Sequence, residues 1–257
     1  MTNITGTIGD DNLLGLDFES DLIFALEGND TVKGLNGNDT LVGGAGEDFL
    51  LGNSGDDLVF GNANEDTLVG NQGNDTLVSG QDDDLIFESL GDNFLFGNLG
   101  NDTLVGGEGR DTLFGGQGKD LLIGRSNNDL LSGDLGDDIL VGGDPWATAP
   151  GLGEIDTLTG GQGSNFFFLA YPSETNQSVP LYIGSGDSDF AFITDFKLEK
   201  DRLVVQQIAQ IAVNNLTLDN FGTGVGVFQA ANGQTDLIAF LPGQEADNIR
   251  AEMFRTL

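Results

Sequence analysis

The sequence predicts an all-β fold, a parallel β-roll of eighteen residues per coil over residues 1–168, followed by a small, mostly-β capping domain over residues 169–257. Three observations predict it. A nine-residue period runs without a gap from Leu16 to Phe168, each period sets an acidic sixth residue before an aliphatic eighth, and the period stops where longer β-type runs begin.

The period shows in GLNGNDTLV, GGAGEDFLL, GNSGDDLVF, GNANEDTLV and GNQGNDTLV, which follow one another from Gly34. Extended both ways, the register makes seventeen consecutive nonapeptides, and an earlier unit, GTIGDDNLL, is offset from them by Gly15. Positions one, two and four are mostly glycine. Where glycine fails at two or four, Asn or Asp often replaces it, as at Asn53, Asn62, Asn64, Asn71, Asp82, Asn98 and Asn127. These residue types tolerate positive φ, so the substitutions mark a backbone requirement. Six such residues suit a tight turn and the last three a short strand, so two units close one flattened coil. Equivalent positions then stack at i and i+18, about 4.8 Å apart. The eighth residues, Ile23, Val32, Leu41 and their successors to Phe167, point inward.

Stacking sorts the sixth residues into two columns. One holds Asp30, Asp48, Asp66, Asp84, Asp102, Asp120, Asp138 and Asp156; the other holds Asp21, Asp39, Asp57, Asp75, Asn93, Asp111, Asp129, Ala147 and Asn165. Carboxylates repeated at about 4.8 Å repel unless a cation lies between them. A hard divalent ion, taking two Asp side chains and several turn carbonyls, fits that need. Calcium tolerates such irregular geometry, whereas the octahedral shell of magnesium does not. An isolated Asp is explained as well by an Asx-type turn, but two ordered columns favour ligation.

The candidate calcium ligands are therefore the Asp residues of both columns, with Asn93 offering an uncharged oxygen. The glycines that leave turn carbonyls accessible join them: Gly34, Gly37, Gly43, Gly46, Gly52, Gly55, Gly70, Gly73, Gly97, Gly100, Gly106, Gly109, Gly115, Gly118, Gly133 and Gly136. Ala147 supplies no side-chain oxygen, so the second column is expected to be interrupted between residues 142 and 150.

The tandem G-G-x-G-x-D-x-(aliphatic)-x resembles the RTX, or haemolysin-type, calcium-binding repeat. The resemblance covers residues 6–168, about two thirds of the chain. It implies a right-handed β-roll holding several calcium ions. Because each unit buries little apolar surface and much charge, the metal-free chain is expected to be largely unfolded and to fold cooperatively as calcium binds. The stretch FITDFKLEKDRLVV resembles the ITDF-x-x-x-x-D segment that follows RTX arrays in bacterial secreted proteins. That family leaves the cell by type I export through an uncleaved C-terminal signal. A secreted, extracellular or cell-surface location agrees with an opening, MTNITGTIGDDNLLG, that has no basic n-region or apolar h-region.

Composition narrows the function further. The 257 residues hold 42 Asp plus Glu against 9 Lys plus Arg, a formal net charge of −33. Nucleic acids and anionic membranes need a basic surface and are excluded as partners. No run approaches the length of a spanning helix, so no membrane insertion is expected. Histidine and cysteine are both absent, which removes the Ser-His-Asp triad, Cys-His pairs, His-ligated zinc and disulfides. No HExxH or GxSxG motif is present, and Gly222-Thr-Gly-Val-Gly is followed by no helix start of the kind a phosphate loop requires.

Positions seven and nine are expected to face solvent. Position nine carries Phe24, Phe60, Phe87, Phe96, Phe114 and Phe168, and position seven alternates Leu or Phe with pairs of Thr in a 36-residue superperiod. Duplication of a four-unit block explains this, and so does self-association through apolar solenoid faces. After Phe168, Asp189–Phe196, Arg202–Val205, Gly226–Ala230 and Thr235–Leu241 read as strands. Gln244–Arg255 reads as an amphipathic helix with Ala246, Ile249 and Phe254 on one side. This segment suits a cap over the last coil, docked on Phe166, Phe167 and Phe168. The expected function is a secreted, non-enzymatic calcium-binding protein, structural or self-assembling in a surface layer or matrix; the alternative is an adhesive or carbohydrate-binding module.

Overall fold

The computed structural model describes residues 2–144, 154–172, 178–180, 190–205, 211–218, 222–231 and 234–256. The chain divides into two compact units, Met1–Leu121 and Leu122–Leu257.

In the first unit, thirteen strands from Thr2–Thr5 to Thr112–Gln117 alternate between two sheets. Past the first strands, each pairs in parallel with the strand eighteen residues on, as Leu50 does with Leu68 and Leu41 with Val59. The eighth residues form the core, and Ile23, Val32, Leu41, Leu50, Val59, Leu68 and Leu77 are all 0% exposed. Most strands cover six residues, such as Thr67–Gln72, rather than the expected three. The second position turns the chain with positive φ, +82° at Asn53 and +87° at Asn62. The third position nonetheless rejoins the ladder, as in Ser54 opposite Gln72. Leu26, Leu35 and Arg125 adopt the same φ, so the stacked ladder imposes this turn even on side chains that disfavour it.

The fourth-position glycines answer to the same ladder. Gly55 has φ +125°, and a Cβ there would run into the Gly37 carbonyl one coil back. The fifth residues add a side-chain ladder that the sequence did not announce. Asn38 Oδ1 accepts from the Asp56 N–H at 3.1 Å, Asp56 Oδ1 from Asn74 at 2.9 Å, and Asn74 Oδ1 from Asp92 at 2.9 Å.

Positions seven and nine are mostly half-buried, because equivalent side chains flank each other along the stack. Phe96 and Phe114 show this, with rings stacked 5.3 Å apart. Val105, Ile123 and Val141 at position nine depart from the outward expectation and are buried.

In the second unit the ladder changes its step. Asp129 N–H donates to Asp156 Oδ1, and Asp138 N–H to Asn165 Oδ1, both 27 residues apart rather than eighteen. Asp156 therefore stacks on Asp129 and not on Asp138, and Asn165 takes the place after Asp138, which reverses the expected column assignment of both. The strand pairing likewise joins Leu130 to Thr157, with the unit GGDPWATAP lying between them in sequence. That unit has Ala147 at the sixth position and Ala149 at the eighth, so those two positions offer neither a carboxylate nor a large apolar side chain. Ala147, Asp187 and Asp189 lie outside the described residues.

The parallel pairing outlasts the nonapeptides. Phe190–Ile193 pairs with Ile155–Thr159, and Arg202–Val205 pairs with Phe166–Phe168. One sheet then turns antiparallel through Gln234–Pro242, Gly222–Ala231 and Ile211–Leu218. This includes the Gly222 run, now seen as strand. Phe190, Leu237 and Phe240 form a buried cluster that Phe192, Phe228, Ile155 and Leu218 border, with Phe192 and Phe240 stacked at 6.0 Å. Phe167 is fully buried, 6.0 Å from Phe196.

The expected helix over Gln244–Arg255 is absent. Its residues form two single 3-10 turns, Ala246–Asn248 and Ala251–Met253, and a strand, Phe254–Thr256. Phe254 pairs opposite Leu203 in the parallel ladder, and Met253 and Phe254 are the buried pair while Ala246 and Ile249 stay partly exposed. Sheet extension outweighs a helical period this short.

Candidate metal centre

The sixth-position Asp side chains are buried, Asp21 through Asp138 at 0–3% exposure. From Asp30 on, each performs a structural task with one oxygen, whereas Asp21 uses both, Oδ1 accepting from Thr2 N–H at 3.3 Å and Oδ2 from Leu16 N–H at 2.6 Å. Asp39 Oδ1 accepts from the Asp21 N–H at 2.7 Å, Asp57 Oδ1 from Asp39 at 2.8 Å, and Asp75 Oδ1 from Asp57 at 2.7 Å. The other column repeats this, with Asp48, Asp66 and Asp84 accepting from Asp30, Asp48 and Asp66 at 2.8, 2.9 and 2.7 Å. Asn93 and Asp102 continue the two columns at 2.8 and 2.9 Å, and Asp111 and Asp120 follow at 2.9 Å.

The second oxygen has a different environment. Oδ2 of Asp30, Asp39, Asp48, Asp57, Asp66, Asp75, Asp84 and Asp102 is buried and makes no hydrogen bond. Where the first-position residue of the unit is glycine, as for Asp39, Asp48, Asp57, Asp66, Asp75 and Asp102, Oδ2 points at it. A Cβ added to Gly34, Gly43, Gly52 or Gly97 would fall on Oδ2 of Asp39, Asp48, Asp57 or Asp102 respectively. The same spot meets a carbonyl of the next coil, Gly52 O beside Gly34, Gly61 O beside Gly43 and Gly115 O beside Gly97. First-position residues are also the ones missing from the paired register between Leu51–Val69 and Asn53–Asn71. Where position one is glycine, a Cβ would displace the carboxylate of its own unit, and the glycine carbonyl is turned out of the ladder toward a carboxylate; Ala25, Ser79 and Glu88 hold the same position in their units. Gly70, Gly115 and Gly133 likewise abut Asp75, Asp120 and Asp138, while Gly106 and Asp21 occupy the equivalent places in their units.

The fourth-position residues Gly37, Gly46, Gly55, Gly73, Gly100, Gly109, Gly118 and Gly136 share a role distinct from that of position one. All take positive φ, and their carbonyls stack coil on coil. Among the described residues no three acidic side chains gather on one point, so any ion here depends on main-chain oxygens as well as carboxylates.

Two elements of the site escaped the sequence. Asp201, in the ITDF-x-x-x-x-D segment, is fully buried; its Oδ1 accepts from Asn165 N–H at 2.9 Å and its Oδ2 from Lys197 N–H at 2.7 Å. It therefore occupies a sixth position outside the nonapeptide period, and Arg202-Leu-Val behind it supplies the strand. Glu88, at a first position, is 5% exposed with Oε1 unbonded. The replacement of glycine by glutamate at that one position was the available signal.

Electrostatics show what the burial costs. Burial, partly offset by the N–H of the preceding coil and reinforced by neighbouring carboxylates, pushes Asp48, Asp75, Asp84 and Asp111 up to about 6. Asp57 and Asp102 rise to about 7 and Asp66 to about 8. Glu88, buried beside Asp75, rises to about 9. An ionised carboxylate in such a place requires a proton or a cation. Rows of unbonded oxygens beside convergent carbonyls fit a hard cation with many oxygen ligands.

A family model described as RTX calcium-binding nonapeptide repeat (4 copies) matches residues 17–50, 51–86, 89–122, 114–144 and 151–169. The solution structure of the AlgE6R3 subunit of the mannuronan C5-epimerase from Azotobacter vinelandii is similar at 19% identity and a TM-score of 0.30. That match covers 68% of this chain and 78% of the other. No curated protein matches the chain. With more than half of its residues matched, its eighteen-residue coils and its buried carboxylate columns, the chain belongs to the RTX calcium-binding nonapeptide repeat family.

Proposed function

We propose that the protein binds several calcium ions between stacked coils and that binding switches the repeat region from an expanded to a folded state outside the cell. The observation that carries this reading is the row of buried, unbonded Oδ2 atoms at Asp30, Asp39, Asp48, Asp57, Asp66, Asp75, Asp84 and Asp102. These oxygens, with first-position carbonyls such as Gly52 O and Gly61 O, are the ligands proposed; the fourth-position glycines set the turn that presents them. The ion supplies the positive charge that lets each carboxylate stay ionised while buried.

On this reading residues 1–168 are the calcium-binding array, and residues 169–257 continue its sheets and close its end while carrying the export signal. The protein acts as a secreted, non-enzymatic structural component, assembling in a surface layer or matrix through faces that carry Phe24, Phe49, Phe87 and Phe94, each more than a third exposed. No helix among the described residues is long and apolar enough to cross a membrane.

Circular dichroism during a calcium titration in metal-depleted buffer tests the switch. The β signal is expected to rise cooperatively between about 10⁻⁴ and 10⁻³ M, the usual range of extracellular modules, and magnesium at the same concentrations is expected to fail. Full β signal in excess chelator at neutral pH would refute the reading. Light scattering in millimolar calcium tests the assembly, which a strictly monomeric protein would exclude.

A further inference from the structure

We propose that Glu88 is a calcium ligand that replaces the carboxylate its own repeat lacks at Asn93; the inference rests on the calcium reading above. From Leu16 to Leu121, the unit starting at Glu88 is the one whose sixth residue is not Asp, and it is also the one whose first residue is acidic. The carboxylate has moved from position six to position one, and the count of one at these two positions per nonapeptide unit is kept.

The placement agrees with that exchange. Glu88 is 5% exposed; Oε2 accepts from Asn71 N–H at 2.9 Å, and Oε1 is buried with no partner. A Cβ built on Gly70 would meet both Glu88 Oε1 and Asp75 Oδ2. In the coils of Gly34, Gly43 and Gly97 the two oxygens meeting at that spot are an Asp Oδ2 and a first-position carbonyl of the next coil. Glu88 therefore brings a side-chain oxygen to the point where its neighbours offer a main-chain one. Asn93 meanwhile donates from Nδ2 to Gly91 O at 3.1 Å, so its amide nitrogen is turned to a main-chain carbonyl.

The molecule contains its own control. Asp195 is a second acidic residue stacked over a first position, with Oδ1 and Oδ2 accepting from the Gly160 and Gly161 N–H groups at 2.7 and 2.8 Å. There a cation is present: Lys197 Nζ lies 3.0 Å from Asp195 Oδ2 and bonds the Gly161 carbonyl. An acidic first position is thus neutralised by an ammonium between carboxylate and turn carbonyl. Around Glu88 the cationic side chain closest in sequence is Arg110, whose guanidinium is held by exposed Asp92 at 2.7 Å. A metal ion held by Glu88 Oε1 and Asp75 Oδ2 would do at this first position what Lys197 does at Asp195.

The test counts calcium in the full-length protein by native mass spectrometry at saturation, with calorimetry for affinity. Glu88→Gln keeps the size and the acceptor for Asn71 but removes the charge. It should bind one ion fewer, or bind one ion at least tenfold more weakly. The paired exchange Glu88→Gly with Asn93→Asp restores the common pattern and should give the wild-type count. Wild-type count and affinity in Glu88→Gln would overturn the proposal, and so would one extra ion in the paired exchange. Should Glu88→Gln fail to fold at saturating calcium, the paired exchange alone decides. Asp66→Asn is measured alongside. Loss of a site in Asp66→Asn but not in Glu88→Gln sinks the role of Glu88 only, whereas a wild-type protein that binds no calcium sinks the calcium reading itself.

Discussion

Asp66→Asn separates the two tasks of a sixth-position carboxylate. Asp66 Oδ1 accepts the Asp48 N–H at 2.9 Å, and Oδ2 is the buried oxygen without a bond. Asparagine retains an oxygen for the first task and loses the charge of the second. If Asp66 serves only the turn and ladder, the change is nearly neutral. If Oδ2 holds calcium, the adjacent site should weaken at least tenfold, about 1.4 kcal/mol. Asp66→Ala adds an orphaned Asp48 N–H, worth about 1–3 kcal/mol more, so the two variants should differ by that amount at saturating calcium. The assay is calcium-dependent folding followed by circular dichroism, with urea unfolding in saturating calcium for the stability difference. Asp66→Asn with the wild-type calcium midpoint would refute ligation by Oδ2 and leave the column as a hydrogen-bond ladder only.

Three other outcomes follow from the same geometry. Gly55→Ala, at φ +125° with the Gly37 carbonyl in the way of a Cβ, should cost well over 1 kcal/mol. Asn53→Gly, at φ +82°, should change stability by only a few tenths; equal effects in urea unfolding would argue against the backbone requirement. In chelator, Asp57, Asp66 and Asp102 are raised to about 7, 8 and 7 from 3.8. The folded state then holds more protons than the unfolded one, and metal-free stability is lost as pH climbs from about 4 through 8. More β signal at pH 5 than at pH 8 in chelator is expected, and a flat or inverted profile would contradict the burial of these groups. Asp201→Ala deprives the Asn165 and Lys197 N–H groups of their acceptor and should lower stability by about 1–3 kcal/mol, read by urea unfolding in saturating calcium.

The predictions differ in how much of them was legible before the fold. The inward eighth residues, the sixth-position columns and the positive-φ turns were all readable, because a nine-residue repeat gives every unit the same neighbours and local chemistry stands for tertiary position. The double duty of each Asp was not, since Oδ1 and Oδ2 are alike in sequence and only the next coil distinguishes them. The reason for glycine at position one was also hidden. Flexibility explains Gly55, but Gly52 is needed because Asp57 Oδ2 fills the space of a Cβ.

Legibility fell away where the period did. At Ala147 the nine-residue count kept Asp156 with Asp138, yet the ladder places it on Asp129, because pairing follows whichever strand brings a carboxylate and an apolar residue rather than the arithmetic of the chain. Gln244–Arg255 had helical spacing, and the open sheet edge at Leu203 captured Phe254 instead. The sequence by itself determined the coil, its family and the residues that face inward, since repetition gives each unit the same partner eighteen residues away. Only the tertiary structure decided where the columns cross over, how Asp201 extends them beyond the repeats, and that the buried Glu88 Oε1 lies beside Asp75 Oδ2, because each depends on a group one coil away.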